Sequence, residues 1–214
     1  MIQILTNARV VTPVEDFIGT VFIENTIIKE IIKTDRIYSD AIDLKQQWLV
    51  PGCIDIHSDY IEKELHPRPS ANFPMSFAFH YMDQRAAACG VTTLFSAISF
   101  SSNEHAKRSY EKALELSKSL DKLTEKGLIR HYIHSRLDPN SEEVVKYLDA
   151  MKEIASLKMI VVNESIPGQR QFRLEEVIEK RASMLGIPLE EYREKVTKEI
   201  EEKSKIDKRK EIQE

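Results

Sequence analysis

The sequence predicts an α/β chain made of a small N-terminal β-unit, about four strands of a parallel (β/α) sheet, and a charged helical tail. Three observations carry this. β-branched runs broken by turn residues fill the first fifty positions, short apolar runs alternate with helical patterns from Cys53 onward, and charge crowds the stretch after Pro167-Gly168. With 214 residues, 42% hydrophobic and 31% charged, the chain can bury a core, which excludes disorder over its whole length.

Residues 1–52 read as a small β-rich domain. QILTNARVVTP, FIGTVFIEN and TIIKEIIK are its strands, with Asn7, Gly19 and Asn25 as turn residues and Pro51-Gly52 as the boundary. Residues 53–172 read as the parallel sheet. CIDIH is its first strand, and a helix ending at Cys89 stops at Gly90. VTTLFSAISF is the second strand, and a long amphipathic helix over 104–126 follows, with Tyr110, Ala113, Leu114 and Leu120 on one face and Gly127 as its stop. RHYIHSRLD is the third strand, Asn140 is placed as the cap of the next helix with Glu143 three residues on, and KMIVVNES is the fourth strand. Residues 173–214 form the charged helical segment, where Tyr192, Val196 and Ile200 make one thin apolar stripe on an otherwise solvated helix.

A net charge of -4, from 31 basic and 35 acidic residues, gives no basic field for nucleic acid, so no nucleic-acid partner is expected. No apolar run reaches the ~18 to 20 residues that span a bilayer, and MIQILTNARVV lacks a basic region leading into an apolar stretch. The expectation is a cytoplasmic chain with no membrane partner. Cys53 and Cys89, the two cysteines, stand in apolar contexts and are expected to be buried, reduced thiols.

His57-Ser58-Asp59 follows the first apolar strand. Residues two apart on a strand point to one side, so an imidazole nitrogen and a carboxylate oxygen can aim at one divalent cation; the plain alternative is a histidine and an aspartate pairing with each other. His80 and His105 read as surface or second-layer groups, His131 alternates with His134 along one strand and His66 precedes a proline, so none of these four is expected to bind metal. His134 has a stronger claim on metal, from its place in the third strand.

VPGCIDIHSD after a small β-region resembles the entry to the catalytic barrel of the amidohydrolase superfamily, metal-dependent hydrolases with an H-x-H or H-x-D pair on their first barrel strand. HPRP at 66–69, Asp83 in a helix ending ACGVTT, HSRLD at 134–138 and PGQRQF at 167–172 follow in order. Together they resemble the phosphonate-metabolism (PhnM) family of the carbon–phosphorus lyase pathway, and match its N-terminal half. The resemblance implies a partial, TIM-like amidohydrolase barrel. A complete barrel takes ~200 to 250 residues, against the 162 from Cys53 to Glu214.

The implied reaction releases pyrophosphate from an alkylphosphonate ribose triphosphate. The implied cofactor is a divalent metal, zinc, and the implied partners are that phosphorylated ribose phosphonate and either a second half-barrel chain or another copy of this one. Carried over by motif, the metal ligands are His57, Asp59, Asp138 and Glu164. Asp138, where the family has a glutamate, is also the catalytic carboxylate. Arg68, Arg136, Gln169, Arg170 and Gln171 bind the triphosphate, the arginines through guanidinium forks.

Two departures qualify the resemblance. Asn163-Glu164-Ser165-Ile166 replaces an aspartate and a ligand histidine ahead of PGQRQF, and the family's later metal histidine and catalytic aspartate belong to strands beyond residue 214. The alternative is therefore a truncated, catalytically inactive relative or one half of a split enzyme.

Overall fold

A computed structural model describes residues 2–68, 71–102, 108–164, 166–168 and 173–213. The chain divides into two compact units, Met1–Gly52 and Cys53–Glu214.

The first unit is a five-stranded mixed sheet of β1 (Ile2–Val11), β2 (Asp16–Glu24), β3 (Ile27–Lys33), β4 (Ile42–Asp43) and β5 (Trp48–Leu49). Its strands run β3-β2-β1-β4, with β5 also on β1; β1 pairs antiparallel with β2 and parallel with β4 and β5. Ala8, Val10 and Val21 form its core, and Thr6 Oγ1 and Thr20 Oγ1 satisfy each other at 3.0 Å inside it. Of the three expected turn residues, Asn25 is in the β2–β3 turn, with a positive φ of 58°. Asn7 instead lies inside β1, at the register shift between Leu5 and Ala8, where its φ of 52° suits a bulge. Gly19 lies within β2, where a Cβ would come 2.5 Å from the Ile32 carbonyl oxygen. Close strand approach, not a turn, requires that glycine.

The second unit is a four-stranded, all-parallel sheet in the order β6-β7-β8-β9, formed by Cys53–Ser58, Val91–Phe100, Arg130–Leu137 and Leu157–Val162. Between β6 and β7 come α1 (Tyr60–Leu65) and α2 (Met75–Ala88); α3 (Tyr110–Asp121) precedes β8 and α4 (Glu143–Met151) precedes β9. Alternation sorts the faces. Leu94, Ile98 and Phe100 of β7 and Ile133 and Leu137 of β8 join Phe79, Met82, Tyr110, Leu120, Val144 and Met151 in one buried cluster under the helices. The opposite face carries Phe95 beside Tyr132 and, further along, Ala97 in register with His134 and Ser99 with Arg136.

Gly90, with φ of 78°, follows the end of α2 as expected. The expected 104–126 helix is shorter: α3 begins after Ser109, whose side chain accepts from the Lys112 amide, and a separate 3-10 turn covers Thr124–Lys126. Residues 103–107, His105 among them, lie outside the described residues. Asn140 does not cap α4. Glu142 holds that position, and the Asn140 amide donates to the carbonyls of Lys203 and Ile206, 3.3 and 2.7 Å away. Both cysteines are free, as expected, but exposed rather than buried, because Cys53 opens edge strand β6 and Cys89 sits past the end of α2.

The tail folds on itself. α5 (Leu174–Leu185) ends at Gly186, whose φ of 66° supplies the left-handed turn, and α6 (Leu189–Lys203) returns so that Tyr192 and Val196 bury against Ile178 and Ala182. The thin stripe is thus the inside of a helical hairpin and not a solvated face. A last short helix, α7 (Arg209–Gln213), brings Ile212 onto the main core.

Candidate functional site

The C-terminal ends of parallel strands are where α/β sheets gather chemistry, because loops meet there above a rigid frame. His57 is near the end of β6, with Asp59 one residue past it; His134 and Arg136 are near the end of β8. The structure brings these four together. His57 Nε2 is 3.8 Å from Asp59 Oδ1, Arg136 Nη1 donates to the same Oδ1 at 3.1 Å, and the His57 and His134 rings meet edge to face, centroids 4.8 Å apart at 89°.

The strand between them makes the meeting possible. β7 separates β6 from β8, and its residue level with His134 is Ala97, whose methyl leaves room for two imidazoles to reach over it. The β6–β7 ladder is interrupted between Asp55 and Ser58, and the Ile56 carbonyl in that gap accepts from His134 Nδ1–H at 2.9 Å. Since a carbonyl only accepts, this bond puts the His134 proton on Nδ1 and leaves Nε2 as a bare lone pair. That Nε2 is buried and has no hydrogen-bond partner. Burial, followed by the nearby charges of His57 and Arg136, holds the His134 pKa below the ordinary histidine value, so the ring is neutral at pH 7.

The remaining expected site residues lie in other settings. Asp138, buried just past β8, takes Lys203 Nζ of α6 on Oδ2 at 3.3 Å and the Asn140 amide on Oδ1 at 3.1 Å. Glu164 pairs with Arg209 of α7 at 3.3 Å. Lys208 donates its backbone amide to the Pro139 carbonyl and pairs with Glu142 at 2.8 Å, so the tail clasps the ends of β8 and β9 through several contacts. Arg68 is exposed in the loop between α1 and α2, bridged to Ala71. Gln169, Arg170 and Gln171, and Ser165 at the departed ligand position, lie outside the described residues.

The other described histidines have structural partners. His66 Nδ1 lies 2.8 Å from Asn72 Oδ1, His80 Nδ1 donates to the Ser76 carbonyl at 2.6 Å, and His131 Nε2 donates to Asp83 Oδ1 at 2.8 Å. Among the described residues, no three or more His, Cys, Asp or Glu side chains converge as a ready-made metal site. What the cluster offers is a neutral imidazole lone pair, a second imidazole, and a carboxylate already neutralised by a guanidinium. His134, outside the expected ligand set, shares strand and face with Arg136, and that spacing of two was the available sequence signal.

No family model matches the chain. Over 198 residues it is 22% identical to the alpha-D-ribose 1-methylphosphonate 5-triphosphate diphosphatase of Escherichia coli strain K12, a match covering 90% of this chain and 52% of that protein. The chain therefore spans about half the length of the curated relative it matches. Among solved structures it is similar to a D-hydantoinase (TM-score 0.53, 20% identity, 83% of this chain and 36% of that one). It is also similar to the L-hydantoinase of Arthrobacter aurescens (TM-score 0.52, 15% identity, 87% and 45%). These likenesses concern the fold: a small β-sheet followed by a curled, four-stranded parallel half-barrel. No described helix is long and apolar enough to cross a membrane.

Proposed function

We infer that this chain, an N-terminal-half PhnM-like amidohydrolase, supplies the first-strand part of a metal-dependent hydrolase that releases pyrophosphate from a phosphonate-bearing ribose triphosphate. The observation that carries the reading is the meeting of His57, Asp59, His134 and Arg136 at the strand ends, in a chain aligned over most of its length with such a diphosphatase. One water is consumed. It adds to phosphorus, the bond to the pyrophosphate oxygen breaks, and pyrophosphate leaves while the ribose keeps its phosphonate and one phosphate.

The residues present fit a divalent cation in part. The orphaned Nε2 of His134 and the half-exposed ring of His57 are suitable nitrogen donors, while Asp59 must share its carboxylate with Arg136. A divalent cation bound there supplies polarisation of a phosphoryl oxygen and a lowered pKa for water. In this proposal Arg136 turns its guanidinium from Asp59 to a phosphate, and exposed Arg68 supplies a second guanidinium fork. Gln169, Arg170 and Gln171 complete the triphosphate contacts in this proposal. Asp138 acts in this proposal as the carboxylate toward the attacking water once Lys203 releases it, whereas Glu164 stays paired with Arg209.

β6 and β9 are the outer strands of the parallel sheet, and they expose Ile54, Ile56, Ile160 and Val161. Such edges suit strand pairing with a complementary half-barrel or a second copy. A non-catalytic reading is favoured by one observation: Asp59, Asp138 and Glu164 each already carry a cation from the chain itself. The deciding experiment measures pyrophosphate release from ribose 1-methylphosphonate 5-triphosphate, by this chain alone and mixed with the C-terminal half of the E. coli relative. Zinc-dependent release abolished by His57→Ala supports the hydrolase, and no release in either sample supports the non-catalytic reading.

A further inference from the structure

We propose that His134 is a metal ligand, and that with His57 it forms a two-imidazole site for a divalent transition-metal ion across the ends of β6 and β8. The proposal rests on the hydrolase reading's cation at His57, and changes that cation's partner from the expected carboxylates Asp138 and Glu164 to a histidine.

The first argument is the bare lone pair. His134 Nδ1–H is fixed by the Ile56 carbonyl at 2.9 Å, and Nε2 lies buried with nothing to accept from. Leaving a buried acceptor unsatisfied carries a desolvation cost. A metal ion removes that cost, and a backbone carbonyl on the opposite ring nitrogen is the usual support of a metal-bound histidine.

Geometry supplies the second argument. Two imidazoles bound to one tetrahedral ion at about 2.0–2.1 Å place their ring centroids about 5 Å apart. The His57 and His134 centroids are 4.8 Å apart, with perpendicular planes that do not stack flat. Ala97, level with His134 on the intervening strand, keeps the space above β7 low enough for both rings. A larger side chain there would separate them.

The third argument concerns the carboxylates. Asp138 and Glu164 are held by Lys203 and Arg209, and Asp59 Oδ1 by Arg136. Two imidazole nitrogens select zinc, cobalt, nickel or copper over magnesium or calcium. The remaining coordination positions stay open for water or a phosphate oxygen.

The test titrates cobalt(II) and zinc into the full chain by visible absorption and calorimetry. Wild type is compared with His57→Ala, His134→Gln, Asp138→Asn and Glu164→Gln. One ion should bind, weakened by His57→Ala and by His134→Gln by at least the roughly 10–100-fold that loss of an outer-shell partner costs, and unchanged in the two carboxylate variants. Binding that needs His57 but tolerates His134→Gln overturns the proposal and leaves the hydrolase reading standing; no binding by wild type overturns both.

Because His134 is buried, a second measurement avoids the variant. In ¹⁵N-histidine-labelled wild type, zinc should shift the ring nitrogens of His57 and His134 and leave those of His66, His80 and His131 in place. A shift at His57 alone rejects the two-imidazole site.

Discussion

Asp83 of α2 and His131 of β8 meet at 2.8 Å with both side chains out of solvent, and the same carboxylate accepts the backbone amides of Leu128 and Ile129. This network fastens a helix to the turn that starts the third parallel strand. A Cβ on Gly127 would come 2.7 Å from the His131 ring, so that glycine makes room for the imidazole. The Asp83 in the family-like ACGVTT helix and the histidine opening RHYIHSRLD are thus parts of one structural joint.

Asp83→Leu should therefore destabilise the chain by at least about 1–3 kcal/mol, the usual cost of leaving a buried donor unsatisfied, because it strips the His131 ring and the Leu128 and Ile129 amides of their acceptor. Urea denaturation followed by circular dichroism reads this directly. A midpoint within experimental error of wild type would mean that the network contributes nothing.

Lys203→Met should loosen the tail. It removes the ammonium from Asp138, leaving a buried carboxylate with the Asn140 amide among its remaining partners, at a cost of about 1–3 kcal/mol. Hydrogen exchange should rise at Ile206 and Ile212 while the β7 and β8 amides stay protected. Adding Asp138→Asn should recover part of the lost stability, and strict additivity of the two substitutions would refute the pairing.

The lowered pKa of His134 has a definite sign in stability. Its folded pKa lies below the ordinary value of 6.5, so as pH falls through that value the unfolded chain takes up a proton that the folded chain resists. The contribution is fully present above about 6.5 and declines as pH falls toward the folded pKa. Unfolding free energy should fall between pH 7 and pH 5 in metal-free buffer, with a shallower slope in His134→Gln. Equal slopes would place the pH dependence elsewhere.

The open edges of the half-barrel predict association. At micromolar concentration, sedimentation velocity should resolve a species larger than 24.7 kDa. Ile160→Lys on β9, which puts a charge on an exposed edge position, should shift it to monomer with little change in the thermal midpoint. A wild-type monomer at all concentrations would remove self-pairing from the proposed partners.

Sequence alone determined the three long strands of the first unit, the four parallel strands of the second, the charged helical character of the tail and the first-strand His57–Asp59 pair, but not the short strands β4 and β5 or helix α1. These are local matters: strand alternation, a glycine past a helix end, and residues two apart on one face all follow from backbone periods that operate over a few residues. Tertiary structure decided what each polar group meets. Asn140 has the look of a cap but holds the tail, Asp138 and Glu164 meet Lys203 and Arg209, and the apolar stripe of α6 closes a hairpin. The same holds for His134, whose free Nε2 depends on a carbonyl 78 residues away and on the methyl of Ala97 between them. A hydrogen bond fixes a tautomer and a buried charge chooses its counter-ion only when distant strands come together, so these choices belong to the folded chain.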